Sequence, residues 1–434
     1  MNAVVKNVKV IDVALPKFHE GQAAIYAGRT QYNIICCGRR WGKTRQMVTL
    51  AANSALKGRK VGLFTPEHKQ LTEPYDELRA MLLPVTERAS KTEGTIRLIN
   101  GGLIDFWPLN DNELAGRGRE YHRVCIDEGA FTKPGQMFDI WNRSIKPTLL
   151  TTKGDCWVFS TPNGIDPDNF FYRLWHETDL GWKPFHAPTS TNPYVPQDEL
   201  EKERKTAHPL VWKQEFLAEF VSWDSESFFR LDYFLQDGKP VEFPTKCDAV
   251  FAIMDCAVKS GSTNDATAIL YCATSAFYGH RLVWLDYEMH SIEAASLEFL
   301  APRVLERCEE LAKQVGARNG SVGLLVEDAA GGQVLIQQAV PRGWPIQAID
   351  SKLMAKGKDE RAMLAGGPAY RGDCKISQFC FDKTVEWRGR TLNHLIQQVT
   401  TFRIGDKEAY KRADDLLDCA AYSIIVSCAD SRTL

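Results

Sequence analysis

The stretch Cys36-Cys37-Gly38-Arg39-Arg40-Trp41-Gly42-Lys43-Thr44 reads as a phosphate-binding loop, slightly off the common pattern. Before it, Tyr32–Cys36 is short and apolar, as a buried strand should be. After it, Arg45–Leu56 carries Met47, Val48, Leu50, Ala51 and Ala55 at helical spacing. A strand, a glycine-containing loop and a helix N-terminus aim backbone N–H groups and a helix dipole at one point. In that frame Lys43 reaches the β- and γ-phosphates of a nucleotide, and the Thr44 hydroxyl holds Mg²⁺. Gly38 and Gly42, with Arg39 and Arg40 between them, complete the expected nucleotide-binding loop. The usual first glycine is missing: Cys37 occupies its place and Gly38 follows one residue later.

The rest of the first half supplies what such a loop needs. Thr95–Ile99 and Gly102–Trp107 are strand-like and meet at Asn100-Gly101, a strong hairpin signal. Arg123–Ile126 is a short buried strand followed by Asp127 and Glu128. Asp127 is expected to hold the Mg²⁺ of the nucleotide, and Glu128 to orient and polarise the attacking water. Cys156–Phe159 is a further strand running into Ser160-Thr161-Pro162-Asn163-Gly164. That tip either touches the γ-phosphate and reports its loss or is a plain Pro-Asn-Gly turn. Arg117 and Arg119 flank Gly118 on a loop, where an arginine is placed to steady developing phosphoryl charge, across a subunit interface if need be.

Composition sets the bounds. The chain has 434 residues, 44% hydrophobic and 25% charged, which is ordinary for a globular protein of two or three domains. No apolar run approaches the ~18 residues of a membrane span, and Met1–Val13 lacks a signal-peptide pattern. Twelve cysteines without paired CxxC spacing support neither a zinc site nor a disulfide framework, and fit a reducing cytosol. With a net charge of −2, any contact to nucleic acid must come from local patches. Val221–Pro244 lacks periodicity, while Pro196–Phe220 before it reads as helical. The expected domains are therefore residues 1–222, a linker at 223–246, and 247–434.

The second half has a different order. Ala249–Asp255 is an apolar strand ending in an acid. Asp265–Cys272 and Arg281–Tyr287 are further strands, Ala294–Val315 is helical, and Ser321–Val326 is a strand leading into Glu327 and Asp328. Lys411–Ser427 is a late helix with Asp414, Asp415 and Asp418. Three antiparallel strands, a helix and another strand is the order of ribonuclease H-like folds. Acids at the ends of the first and fourth strands and on the late helix converge there. Two Mg²⁺ or Mn²⁺ ions about 4 Å apart need several carboxylates, and oxygen-only ligands suit those metals. The metal candidates are Asp255, Glu327, Asp328, Asp415 and Asp418. Alternation puts Glu327 and Asp328 on opposite faces, so one of the two is a direct ligand. The residues alone leave the choice between Glu327 and Asp328 open. Asp265, at the start of the second strand, is expected to be structural or to stand behind a direct ligand.

These motifs together resemble the large terminase subunit of tailed bacteriophages. The resemblance rests on Gln22, the loop 38–44, Arg117-Gly118, Asp127-Glu128 and Ser160–Gly164. It extends to Asn192-Pro193-Tyr194-Val195-Pro196 and Gln214–Phe220, and so covers nearly the whole chain. It implies an α/β chain with an N-terminal P-loop (RecA/ASCE-like) ATPase domain around a mostly parallel sheet, then a ribonuclease H-like nuclease domain. Gln22 would contact adenine, Arg39 would be the loop arginine, and Glu128 the catalytic carboxylate. Ser160 and Thr161 would couple hydrolysis to movement, and Arg117, with Arg119 as the other choice, would be the trans-acting finger. Counting back from Gly331, Asp328 matches many family members and is the choice for the catalytic role, while counting from Gly332 favours Glu327; Asp415 with Asp418 matches the helix acids of related resolvases. Lys358 and Arg361 match a basic family motif that meets DNA phosphate; a solvated charged helix is the other reading. The implied cofactors are ATP, its Mg²⁺ and two nuclease metals. The implied partners are double-stranded DNA, the portal protein, a small terminase subunit and further copies in a ring, commonly a pentamer, in the host cytoplasm. Another class, a repair or recombination helicase–nuclease, needs a second RecA-like domain that the second half does not suggest. An ATPase with a catalytically dead DNA-binding second domain is opposed by the intact acids.

Overall fold

A computed structural model describes residues 11–110, 112–133, 135–177, 181–223, 227–256, 267–291, 296–328, 330–405 and 414–428. The chain divides into two compact units. One comprises Met1–Lys202 with Pro209–Ser222, the other Glu203–His208 with Trp223–Leu434.

The first unit is built on strands β1 (Tyr32–Cys37), β2 (Lys60–Thr65), β3 (Thr86–Ser90), β4 (Thr95–Leu98), β5 (Leu103–Pro108), β6 (Arg123–Ile126), β7 (Asp155–Ser160) and β8 (Lys183–Ala187). They form one 8-stranded sheet in the order β3-β4-β5-β2-β6-β7-β1-β8. All neighbours run parallel except the pairs β3–β4 and β4–β5. Ile34, Ile35, Trp157, Val158 and Phe159 are fully buried because helices cover both faces, which is why these strands read as unbroken apolar runs. The antiparallel pair turns at Asn100-Gly101, where Gly101 has φ +84° and the Asn100 side chain accepts the Gly102 N–H at 3.0 Å. The parallel centre puts the ends of β6, β7 and β1 side by side on one edge.

Pro196–Phe220 does not form one helix. Gln197–Thr206 and Pro209–Glu215 are separate helices. Pro209 offers no N–H and disfavours helical backbone at His208, so the break falls there.

The second unit holds a 6-stranded sheet of β9 (Ala249–Asp255), β10 (Thr267–Thr274), β11 (Leu282–His290), β12 (Ser321–Val326), β13 (Ile346–Ala348) and β14 (Cys374–Ile376), ordered β13-β12-β9-β10-β11-β14. β10 runs antiparallel to both β9 and β11, and β12 runs parallel to β9 after the helix Leu297–Gln314. This is the ribonuclease H-like order. One face packs Val250, Ala252 and Met254 against Leu300, Val304 and Leu311 of that helix. On the other, Trp284 donates to Ser423 of the helix Asp415–Cys428 at 2.9 Å. Residues 223–246, expected as a linker, belong to this unit. Phe228, Phe229 and Phe234 are each 1% exposed, and Phe234 stacks on Trp284 with ring centroids 4.6 Å apart. Their spacing follows neither helix nor strand period, so the sequence hid their burial.

His208 is a buried, titratable member of the same core. Its ring centroid lies 4.4 Å from that of Phe228, and burial pushes its pKa down to about 4 from 6.5. The folded state therefore resists protonation below the unfolded value. The stability that follows is complete above pH ~6.5 and is lost as the pH falls towards 4, by at most ~3 kcal/mol. Urea unfolding at about pH 7 and about pH 4.5 should show wild type losing more stability than His208→Gln; equal losses would refute this origin.

Candidate nucleotide and carboxylate sites

The loop after β1 is held by segments far along the chain. Gly38 lies so close to its neighbours that a Cβ there would sit 2.3 Å from Thr189 Oγ1 and 2.6 Å from the Phe216 carbonyl oxygen. The Gly38 N–H donates to Ala187 at 2.9 Å and the Arg39 N–H to the Glu215 carbonyl at 2.6 Å. Thr189 Oγ1 donates to the Arg39 carbonyl and Asn192 Nδ2 to the Arg40 carbonyl, both at 2.7 Å. Arg40 has φ +59° and Gly42 φ +98°, a backbone path that turns the chain into the helix Lys43–Ala55. Trp41 is buried and donates Nε1 to Thr191 Oγ1 at 2.8 Å. Cys37 is wholly buried in the core, and burial raises its thiol pKa.

Gln22, expected at the adenine, is buried beneath the loop. Its Nε2 donates to the Gly42 carbonyl at 2.9 Å and its Oε1 accepts the His19 N–H at 3.2 Å, so both ends of the amide are engaged inside the protein. The Arg39 guanidinium is largely exposed and pairs with Glu215. Arg119 approaches buried Asp105 at 3.4 Å and lies over Trp107. Exposed Arg117 stands between Gly116 (φ +76°) and Gly118 (φ +78°), with no ion pair among the described residues.

The strand ends bring the polar groups together. Lys43 Nζ is 2.7 Å from Glu128 Oε1, and Thr44 Oγ1 donates to Asp127 Oδ2 at 3.1 Å. Ser160, fully buried at the tip of β7, donates to Glu128 Oε2 at 3.4 Å and accepts the Ala130 N–H at 3.1 Å. Thr161 is buried beside it in the chain. Glu128 adopts φ +51°, a sparsely populated conformation costing of order 1–3 kcal/mol for a side chain of its kind. Burial, then the Glu128 charge, raises Asp127 to a pKa of about 6, against the pull of Lys43 and its hydrogen bonds. Burial alone would lower the Lys43 pKa, but Glu128 and Asp127 together raise it. A hydroxyl and a carboxylate this close form an oxygen-only pair that suits Mg²⁺, which commonly takes one or two protein ligands beside phosphate and water.

In the second unit the acids gather as their order implied, with one change. Burial, then Asp418, Asp415 and Glu327, raises the Asp255 pKa well above the carboxylate range, partly offset by Lys358. Asp415 and Asp418 lie buried on the first turn of Asp415–Cys428. Glu327 accepts the Tyr422 hydroxyl. Asp328, chosen from the sequence for the catalytic role, is exposed instead, its N–H directed at Met354 Sδ at 3.3 Å. Side-chain alternation past β12 turns one acid in and the other out, and the inward one is Glu327. Lys358 Nζ pairs with Asp414 and lies 3.1 Å from Asp418 Oδ2, while Arg361 donates to Asp418 Oδ1 at 2.7 Å. Asp265 lies outside the described residues. Among the described residues no group of three or more His, Cys, Asp or Glu is arranged to hold a metal. Among the described residues, Lys358 and Arg361 are the cations paired with Asp418.

Sequence reasoning missed His19, Thr189, Glu215 and Tyr422. Thr189 and Glu215 lie in or beside the Asn192–Pro196 and Gln214–Phe220 segments, but nothing local in those segments shows that they hold the loop.

No family model matches the chain. It is 25% identical over 205 residues to the terminase large subunit of Escherichia phage T5, a match covering 46% of this chain and 46% of that protein. The matched region thus spans about half the length of that curated relative. Among solved structures, the large terminase of a thermophilic bacteriophage superposes with a TM-score of 0.63 at 12% identity, covering 96% of this chain and 100% of the other. The same protein in complex with ADP gives 0.62 at 12% identity, covering 94% and 99%. Its complex with ATP-γ-S gives 0.60 at 14% identity, covering 94% and 99%. At these identities the superpositions establish the fold. In sequence to one phage large terminase and in fold to another, the chain is similar to the large terminase subunits of bacteriophages.

Proposed function

We propose that this chain is a viral DNA-packaging motor subunit that hydrolyses ATP to drive double-stranded DNA into a procapsid and cleaves that DNA in its second domain. The observation that carries the first activity is the meeting of Lys43, Thr44, Asp127, Glu128 and Ser160 at the adjacent ends of β1, β6 and β7. The thermophilic phage's terminase, whose fold this chain shares, is described with ADP and with ATP-γ-S. Thr44 and Asp127 would hold Mg²⁺, which neutralises charge on the phosphates. Lys43, now on Glu128, moves to the β- and γ-phosphates of ATP. That releases Glu128 to accept a hydrogen bond from water and align it with the γ-phosphorus. Ser160, touching Glu128, is placed to register that release, with Thr161 beside it. Arg39 lines the loop, and Arg117, untethered between two glycines, is the arginine available to a neighbouring subunit's phosphate.

Cleavage is assigned to Asp255, Glu327, Asp415 and Asp418. Their donors are oxygen only, a set suited to Mg²⁺ or Mn²⁺. Lys358 and Arg361 offset part of the cluster's charge at Asp418, and among the described residues no group is arranged to hold a metal. By the family likeness, the chain works as a homo-oligomeric ring, commonly a pentamer, on the portal protein with a small terminase subunit, in the host cytoplasm. No helix among the described residues is long and apolar enough to cross a membrane. A helicase–nuclease is disfavoured because β9, β10 and β11 are antiparallel, unlike a second RecA-like sheet.

Lys43→Ala and Glu128→Ala should each lower ATP turnover by roughly 10²-fold or more, read as phosphate release by the full chain. Near-wild-type turnover in either variant refutes the assignment. In a plasmid-nicking assay with Mn²⁺, Asp255→Ala and Glu327→Ala should lose cleavage while Asp328→Ala keeps it. Absence of nicking by wild type removes the nuclease claim, and loss in Asp328→Ala alone reverses the choice between the two acids.

A further inference from the structure

The Asn192–Pro196 segment does more than hold the loop. Asn192 donates Nδ2 to the Arg40 carbonyl at 2.7 Å, and its Oδ1 accepts the Tyr194 N–H at 3.0 Å. Just before it, Thr189 is bonded to the Arg39 carbonyl and Thr191 to the Trp41 indole. Tyr194 is therefore carried on the same short segment that fixes the phosphate loop. Its ring is nonetheless 79% exposed. It stands edge-on to His19, with centroids 6.5 Å apart, and His19 stands edge-on to Trp41 at 5.2 Å. His19 Nε2 in turn comes within 3.9 Å of where a Cβ on Gly42 would be. The rings step from the buried Trp41 out to solvent beside the N-terminus of the helix Lys43–Ala55. Gln22, the side chain expected to read the base, is held inside by Gly42 and His19.

We propose that Tyr194 is the stacking platform for the base of the nucleotide whose phosphates lie at Lys43 and Thr44, an inference that rests on the nucleotide-binding reading of this loop. An exposed aromatic face fixed relative to the phosphate site has the geometry to grip a base. Stacking of a base on an aromatic side chain is worth ~1–3 kcal/mol and requires no hydrogen bond to the base edge. The Asn192 turn sets the position of the ring, and His19 supports it from one side.

The test is calorimetric binding of ADP and of inorganic tripolyphosphate to the full chain. Tyr194→Ala should weaken ADP roughly tenfold, within the ~5- to 150-fold range that such stacking implies, and leave tripolyphosphate unchanged. Tyr194→Phe should bind both as wild type does. Unchanged ADP affinity in Tyr194→Ala overturns the proposal, as does equal weakening of both ligands, which would make Tyr194 a support of the loop. Failure of wild type to bind either ligand would instead refute the nucleotide-binding reading itself.

Discussion

The backbone of the phosphate loop is pressed against chain that lies some 150 residues or more away from it. Gly38 has no room for a Cβ between Thr189 and the Phe216 carbonyl. The carbonyls of Arg39 and Arg40 are taken by Thr189 and Asn192, and the Arg39 N–H by Glu215. The carbonyls of such an irregular loop are not paired by regular secondary structure, and each hydrogen bond that reaches them from outside contributes about 0.5–1.5 kcal/mol. The segments after β8 supply those bonds. Everything carried on the loop, from Lys43 to the start of its helix, inherits its position from this clamp.

Charge is arranged on the same principle in both units, each taken by itself. Asp127 and Glu128 would repel if ionised side by side, and burial together with that repulsion raises the Asp127 pKa. Lys43 supplies the compensating charge at 2.7 Å from Glu128. In the second unit Asp255, Glu327, Asp415 and Asp418 crowd together, and Lys358 with Arg361 offsets part of the repulsion. A mobile ammonium is a fitting counter-charge at such a place. Unlike a planar guanidinium locked in a fork, it can leave for a phosphate without breaking a bidentate geometry.

The strands around both sites were legible because burial on two faces writes an unbroken apolar run. β1, β6, β7 and β9 show it, and the polar residues lie at or beyond their ends: Lys43 and Thr44 after the loop, Asp127 and Glu128, Ser160, Asp255. The hairpin at Asn100-Gly101 was legible from local turn chemistry. What was not legible depends on contacts between distant segments. The burial of Phe228, Phe229 and Phe234 has no period to reveal it. The break at Pro209 was visible as a proline but weighed less than the flanking helical pattern. Gln22 sits at the expected distance before the loop, but its bond to the Gly42 carbonyl is visible only in the fold. Between Glu327 and Asp328, alternation is readable in the sequence but its phase is not; Tyr422, packed on the late helix, supplies the phase by holding Glu327 inward.

The irregularity of the phosphate loop follows from the same clamp. In the common pattern the first glycine begins the loop. Here that position is Cys37, the last residue of β1, and it is wholly buried among core side chains. A side chain is tolerated there, and a compact apolar one fills the core where glycine would leave space. One residue later the chain passes against Thr189 and Phe216, and there no side chain is tolerated. The glycine has therefore moved to where two backbones meet. Its requirement is set by packing against the protein, while Gly42, at φ +98°, keeps the conformational role that leads the chain into its helix. A pattern that looked like a defect in the sequence is a record of which neighbour the loop touches first.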